Sequence, residues 1–292
     1  MTVLYYKVAH HLFAIVTPNE EATIALLDSY GSFRVVPEAG EKPVFTLHLE
    51  TQPLQYDLPD YVDFDWDESH CYVKRDEKQY AFEIRMPQEQ IQHTLLCATD
   101  FSEGYLLFAP DMPSFSYAFG NVLMILYAFS TAPQHTLMLH ASVAMKDGKG
   151  YLFQGKSGTG KSTHSRLWLQ NITGAELLND DNPVVRVMNN EVRVFGTPWS
   201  GKTPCYRNLN MPVGAFVRII RAPQNQIKRH SIVEAFASLY PSASAMKWDK
   251  RVHDAICKTV SDVIVCTPSY ALQCLPNEEA AHLCAETVTK EA

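Results

Sequence analysis

Gly155-Lys156-Ser157-Gly158-Thr159-Gly160-Lys161-Ser162 is the stretch on which the reading of this chain turns. It fits the pattern G-x-x-x-x-G-K-[ST] without a mismatch. An apolar, strand-like run, Tyr151–Gln154, leads into it, and a helical run from Lys161 to about Gln170 leads out. Glycines adopt backbone angles closed to other residues, so successive N–H groups can turn inward on an anion. The positive N-terminal end of the following helix adds to that field. The expectation is a loop, Gly155 to Ser162 with Thr163 behind it, that grips the triphosphate of ATP. Lys161 would reach the β- and γ-phosphates, and the Ser162 hydroxyl would ligate Mg2+.

About 20 residues further on, Asp180 and Asp181 follow Glu176-Leu177-Leu178-Asn179. A carboxylate at a strand end beside such a loop can hold Mg2+, directly or through water. A second one can take a proton from an attacking hydroxyl. Adjacent acids repel unless a cation lies between them, which suits a metal site made of Ser162, Asp180 and Asp181. The run Asn179-Asp180-Asp181-Asn182-Pro183 also has the composition of an exposed turn.

Working outward, the N-terminal part reads as strands and turns. His70–Arg75 and Gln79–Met86 flank a turn and suit a hairpin, as do Leu95–Ala98 and Tyr105–Phe108. Phe33–Val36 also has strand composition. Pro110 and Pro113 mark a boundary, giving a β-rich domain over 1–112 and an α/β domain over 113–292. In the second part a helix is expected over Ser114–Ser130. Strands are expected over Leu137–Met145, Val213–Ile220 and Tyr270–Cys274, with helices over Ser231–Leu239, Met246–Val260 and beyond Asn277. The apolar run Phe115–Phe129 is short for a bilayer span and reads as a core helix.

Net charge is −7, which argues against a general nucleic-acid binder. The charge is divided: residues 1–112 carry 7 Lys+Arg against 19 Asp+Glu, and residues 113–292 carry 18 against 13. A basic half would attract a triphosphate, although two differently solvated modules would look the same. Seven cysteines without a C-x-x-C spacing suggest buried thiols in a cytoplasmic protein rather than a zinc or disulfide framework. No membrane partner and no signal peptide are expected.

Leu139-His140-Ala141-Ser142, the loop, and Leu178-Asn179-Asp180-Asp181 together resemble the catalytic domain of HPr kinase/phosphorylase, over residues 135–292. That domain has the fold of phosphoenolpyruvate carboxykinase. The resemblance implies a P-loop α/β catalytic domain with a mixed sheet. Residues 1–112 match no known family, and their strand patterns alone make them a smaller β-rich α+β domain in front of it. It implies a serine kinase acting on a protein, peptide or small molecule. Lys161 and Ser162 would bind phosphate and Mg2+, Asp180 and Asp181 would share metal binding and base duty, and His140, on the strand before the loop, would tune the proton. The Gly-rich second signature of the bifunctional enzyme is absent, so neither phosphorylase activity nor hexameric assembly is implied. In its place stands Gly196-Thr197-Pro198-Trp199-Ser200-Gly201-Lys202-Thr203-Pro204-Cys205-Tyr206-Arg207. Lys202 and Arg207 there could neutralise the transferred phosphoryl group. Two other functions compete: a non-catalytic nucleotide-binding regulatory module, and a carboxykinase acting on a small keto acid. Homo-oligomerisation and the choice between ATP and GTP stay open.

Overall fold

The computed structural model describes residues 1–66, 69–86, 91–201 and 203–290. It is a mixed α/β chain that divides into two compact units, Met1–Thr131 and Ala132–Ala292.

The first unit is built on an eight-stranded sheet. Its strands are β1 (Thr2–Val8), β2 (His11–Thr17), β3 (Thr46–Glu50), β4 (Asp60–Trp66), β5 (Ser69–Arg75), β6 (Gln79–Arg85), β7 (Gln92–Ala98) and β8 (Glu103–Leu107). A short helix, α1 (Glu20–Leu26), follows β2, capped by the Asn19 side chain. The spatial order is β1-β2-β3-β8-β7-β6-β5-β4. β3 runs parallel to both its neighbours and the other pairs are antiparallel. The two expected hairpins are β5–β6 and β7–β8. Alternation decides which face is buried: β7 sends His93, Leu95 and Cys97 inward. The stretch 33–36 forms no strand. A 3-10 turn over Asp28–Phe33 replaces it, followed by a single bridge from Arg34 to Tyr6.

The boundary falls later than the prolines suggest. Helix α2 (Phe115–Thr131) belongs to the first unit, not the second. Its reasons are tertiary: Tyr127 Oη donates to Val8 O at 3.0 Å, and Leu126 packs so tightly on Gly104 that a Cβ there would lie 2.9 Å away. Residues 113–131 carry no charge, so the acidic balance of the first unit is unaltered. With the 3-10 turn after it, the helical run Phe115–Gln134 is longer than the sequence reading allowed. By length and composition alone it could cross a bilayer, and 72% of its most apolar window is buried inside the fold.

The second unit has strands β9 (Thr136–Met138), β10 (Ala141–Lys146), β11 (Lys149–Gln154), β12 (Glu176–Asp181), β13 (Val184–Met188), β14 (Glu191–Phe195), β15 (Asn210–Arg221), β16 (Gln226–Arg229) and β17 (Ser269–Cys274). Its helices are α3 (Lys161–Asn171), α4 (Ile232–Leu239), α5 (Lys250–Cys266) and α6 (Glu278–Lys290). The sheet order is β12-β10-β11-β15-β14-β13-β9, with β17 also on β15 and β16 on β17. β11, β15 and β17 are mutually parallel, and β10 is antiparallel to both β11 and β12. Four strands, β11, β12, β15 and β17, therefore end at one edge of the sheet. In open α/β sheets ligands bind outside such carboxyl ends.

The single strand expected over 137–145 is two strands. β9 pairs with β13, while β10 pairs with β11 and β12. The chain breaks between them because Leu139 N donates to Pro183 O at 3.0 Å and His140 N to Ser242 O at 2.7 Å. Likewise α5 begins at Lys250, capped by Asp249, rather than near 246. On one face of this sheet, Tyr151, Phe153, Val217 and Tyr270 pack against Trp168 of α3 and against Ala280, Ala281, Cys284 and Val288 of α6. Each fully buried large side chain there contributes about 1.5–3 kcal/mol. This packing fixes where α3 starts, and with it the loop.

Candidate functional site

The loop begins where β11 ends. Gln154, its last residue, pairs with Ala141 on β10, and Ala141 pairs with Asp181 on β12. Asp181, Ala141 and Gln154 thus form one row across three strands. At about 4.8 Å per strand the Cα atoms of Asp181 and Gln154 lie about 10 Å apart. Ser142 and Asp180 form the next pair on the same ladder. Sheet register alone brings the two acids to the mouth of the glycine loop.

Gly158 and Gly160 adopt φ +74° and +110°, angles that L side chains rarely take. Gly160 is the N-cap of α3 and has no side chain to occupy the helix end. The first turn of α3 therefore presents its free N–H groups to the loop's interior. Lys161 is only 8% exposed, and its ammonium donates to Gly155 O at 3.1 Å. Burial lowers its pKa, against the pull of the Asp181 and Asp180 carboxylates. Ser162 and Thr163 are exposed on the first turn. Ser165, one turn on, donates to Ser142 Oγ at 2.6 Å and ties α3 to β10.

Asp180 is 3% exposed, and neither of its carboxylate oxygens has a hydrogen-bond partner among the described residues. A buried carboxylate left so costs stability unless a cation compensates it. Asp181, beside it, accepts from Asn182 Nδ2 at 2.8 Å and faces His140 Nδ1 at 3.2 Å. Burial raises the Asp181 pKa and the Asp180 charge adds to that, while His140 and Lys161 act in the opposite sense. His140 sits at the break between β9 and β10 rather than on a strand, with its side chain half-exposed.

The segment after β14 is laced over the acids. Asn179 Nδ2 donates to Thr197 Oγ1 at 3.1 Å and to Trp199 O at 3.0 Å. Thr197 Oγ1 donates to Asn182 O at 2.8 Å. Gly201 N donates to Asp180 O, and a Cβ at Gly201 would lie 2.8 Å from that oxygen. These contacts hold the backbone of the acid pair from above. Asn179 and Thr197 were not legible as site residues, because their partners lie 18 residues apart in sequence.

Of the two cations singled out in that segment, Lys202 lies outside the described residues. Arg207 is placed away from the acids. Its Nη1 donates to Glu176 Oε2 at 2.7 Å, at the opposite end of β12. That is about 16 Å of strand from Asp181. A different cation touches the loop: Arg221, the last residue of β15, donates through Nη2 to Gly158 O. Only its position after the long apolar run 213–220 could have pointed to it.

Beyond the loop, on the side away from the acids, lies a cavity of about 470 Å3. Thr159, Gly160 and Thr163 form one wall, and the ends of β15 and β17 form the other. His164 lines it too, with its ring edge-on to Phe153 at 4.8 Å, and burial pushes its imidazole down to about 4.

The residues fit a divalent cation. Asp180 supplies two oxygens without a hydrogen-bond partner among the described residues, and Ser162 is exposed on the first turn of α3. Among the described residues no group of three or more His, Cys, Asp or Glu could hold a metal. A pure protein cage is thus not on offer, which suits Mg2+, an ion that takes one or two carboxylates and completes its shell with phosphate and water.

No protein-family model matches the chain, and no curated protein matches it. Among solved structures it is similar to the Hpr(Ser) kinase/phosphatase from Coxiella burnetii. The identity is 14%, over 53% of this chain and 94% of that one, with a TM-score of 0.31. This is a distant structural similarity, and at that level it decides nothing about chemistry.

Proposed function

We propose that this chain is a Mg2+-dependent phosphotransferase that moves the γ-phosphoryl group of ATP to a serine-type hydroxyl on a protein, peptide or small molecule. The observation that carries the reading is the Asp180 carboxylate, buried at the mouth of the glycine loop with no hydrogen-bond partner among the described residues. A fold retains such a group where a bound cation completes it.

The chain's residues then take separable roles. The loop amides from Gly155 to Gly160, with Lys156, Ser157 and Thr159 between the glycines, cradle the phosphates. Lys161 exchanges Gly155 O for a phosphate oxygen and spreads the charge that develops on transfer. Ser162, Asp180 and Asp181 would hold the ion, which when bound would supply positive charge for the phosphate oxygens. Asp181 accepts the proton of the attacking hydroxyl, and His140 at 3.2 Å orients its carboxylate. The hydroxyl oxygen bonds to the γ-phosphorus, the bond to the β,γ-bridging oxygen breaks, and the nucleoside diphosphate leaves with that electron pair.

The test is a mass-spectrometric comparison of cell proteins and metabolites incubated with Mg·ATP and either wild type or Lys161→Ala. A phosphorylated species that forms only with wild type is expected. ATP binding with neither transfer nor hydrolysis would replace this reading by that of a regulatory nucleotide-binding module.

A further inference from the structure

We infer that the outer edge of β4, in the first unit, takes up an extended segment of another protein as an added strand, and that this segment alternates Lys or Arg with apolar residues. β4 ends the eight-stranded sheet, and among the described strands it pairs with β5 alone. The outer side of such a strand keeps the backbone N–H and C=O groups that a further ladder uses. A peptide laid there gains affinity through its main chain and specificity through its alternate side chains. The inference stands apart from the phosphate loop, because it concerns a surface to which the phosphotransferase reading gives no role.

Register sets what the added strand would meet. Residues directly opposite one another in a sheet share a face. Across β4, β5 and β6 one row is Asp63, Tyr72 and Glu83, and the next row on the same face is Asp65, His70 and Arg85. Continued outward by one strand, these rows place two side chains of the newcomer, at positions i and i+2, against Asp63 and Asp65. The side chains flanking them lie on the other face, in line with Val62–Val73 and Phe64–Cys71. The fitting order is therefore cation, apolar, cation, apolar.

Charge favours that occupant. Residues 43–73 hold seven Asp or Glu and no Lys or Arg. The Asp63 and Asp65 side chains are 61% and 93% exposed. His70 stands between them, its Nε2 3.0 Å from Asp63 and its Nδ1 2.8 Å from Asp65, which holds both carboxylates on one face. Its single charge, when protonated, offsets only one of the two. The lysine and arginine nearby are engaged further in. Lys74 Nζ lies 3.3 Å from the buried Glu83 carboxylate and 3.6 Å from Asp60, while Arg85 Nη2 donates to Glu83 at 2.9 Å and its guanidinium covers the Tyr72 ring at 4.4 Å. Beside the edge, Asp60, Tyr61, Asp63, Tyr72 and Lys74 line a concavity of about 480 Å3. A long basic side chain fits it with its stem along the tyrosines and its charge at the acids. A second copy of β4 would bring Asp63 and Asp65 against like charges, so the same acids that admit a basic strand turn away another copy of this one.

The experiment is fluorescence anisotropy of the full chain with three labelled short peptides: alternating lysine and valine, alternating glutamate and valine, and the lysine–valine peptide N-methylated at every amide. The lysine–valine peptide should bind and the glutamate–valine peptide should not. N-methylation keeps the charge and removes the ladder, so it should weaken binding at least about tenfold. Asp63→Asn together with Asp65→Asn should weaken the lysine–valine peptide by about 2- to 30-fold. Asp63→Lys together with Asp65→Lys should reverse the preference between the two charged peptides. Should the reversed chain fail to melt cooperatively, the asparagine pair, which keeps the side-chain shapes, decides. No binding of the lysine–valine peptide to wild type, equal binding of its N-methylated form, or undiminished binding to the asparagine pair would each overturn the inference.

Discussion

Replacing Asp180 by asparagine removes a charge from a place where it is buried and, among the described residues, without a hydrogen-bond partner, yet keeps the side chain's shape. The amide is as short of partners as the carboxylate, so the variant relieves only what the charge adds to the burial cost, on the order of 1–3 kcal/mol. Lys161 compensates part of this through space, so the lower end, about 1 kcal/mol, is expected. For a unit of the size of residues 132–292, that corresponds to a rise of about 2–4 °C in the melting temperature without ligand. The opposite should hold with Mg·ATP present. Wild type at about 100 times its dissociation constant gains about 2.7 kcal/mol, hence about 5–11 °C. Asp180→Asn should lose most of that gain and all measurable transfer. The assay is differential scanning calorimetry of the second unit's transition, with and without Mg·ATP. A variant that melts below wild type without ligand, yet shows the full Mg-dependent shift, would refute the reasoning. Asp180 would then be a structural acceptor.

Asp181→Asn should raise the ligand-free melting temperature at pH 7, because burial lifts the carboxyl's folded pKa. Its contribution is full below the unfolded value of about 3.9 and is lost as pH rises through the folded value, so the variant's advantage should vanish near pH 4. The same variant should slow transfer by about 10²- to 10⁴-fold if Asp181 is the base, measured as single-turnover phosphorylation. Gly160→Ala places a side chain at φ +110° and should cost about 1–3 kcal/mol in chemical denaturation, together with triphosphate affinity. Arg207→Ala breaks only an exposed pair with Glu176, so less than about 1 kcal/mol of stability and no transfer rate should be lost.

The loop was legible because its determinants are local. Three glycines, all with positive φ in the structure, an apolar strand before and a helix after are contiguous in sequence. The acids were legible as residues but not as a geometry. Only the register Asp181–Ala141–Gln154 brings them to the loop, and register is a non-local property. The same cause hid the break at His140, which is set by backbone bonds to Pro183 and Ser242. It also hid the assignment of α2 to the first unit. Pro110 and Pro113 are real chain punctuation, but Tyr127 and Leu126 find their partners at Val8 and Gly104. Arg207 and Arg221 were indistinguishable in sequence as cations on segment ends, and their opposite placements follow from which strand end each neighbours.

A crystal structure with Mg2+ and a non-hydrolysable ATP analogue tests directly where a triphosphate and its ion sit. Phosphates wrapped by the 155–162 backbone are expected, with the ion bound to an Asp180 oxygen and to Ser162 Oγ. An analogue held elsewhere, or an Asp180 carboxylate still uncoordinated beside a filled loop, would contradict that placement.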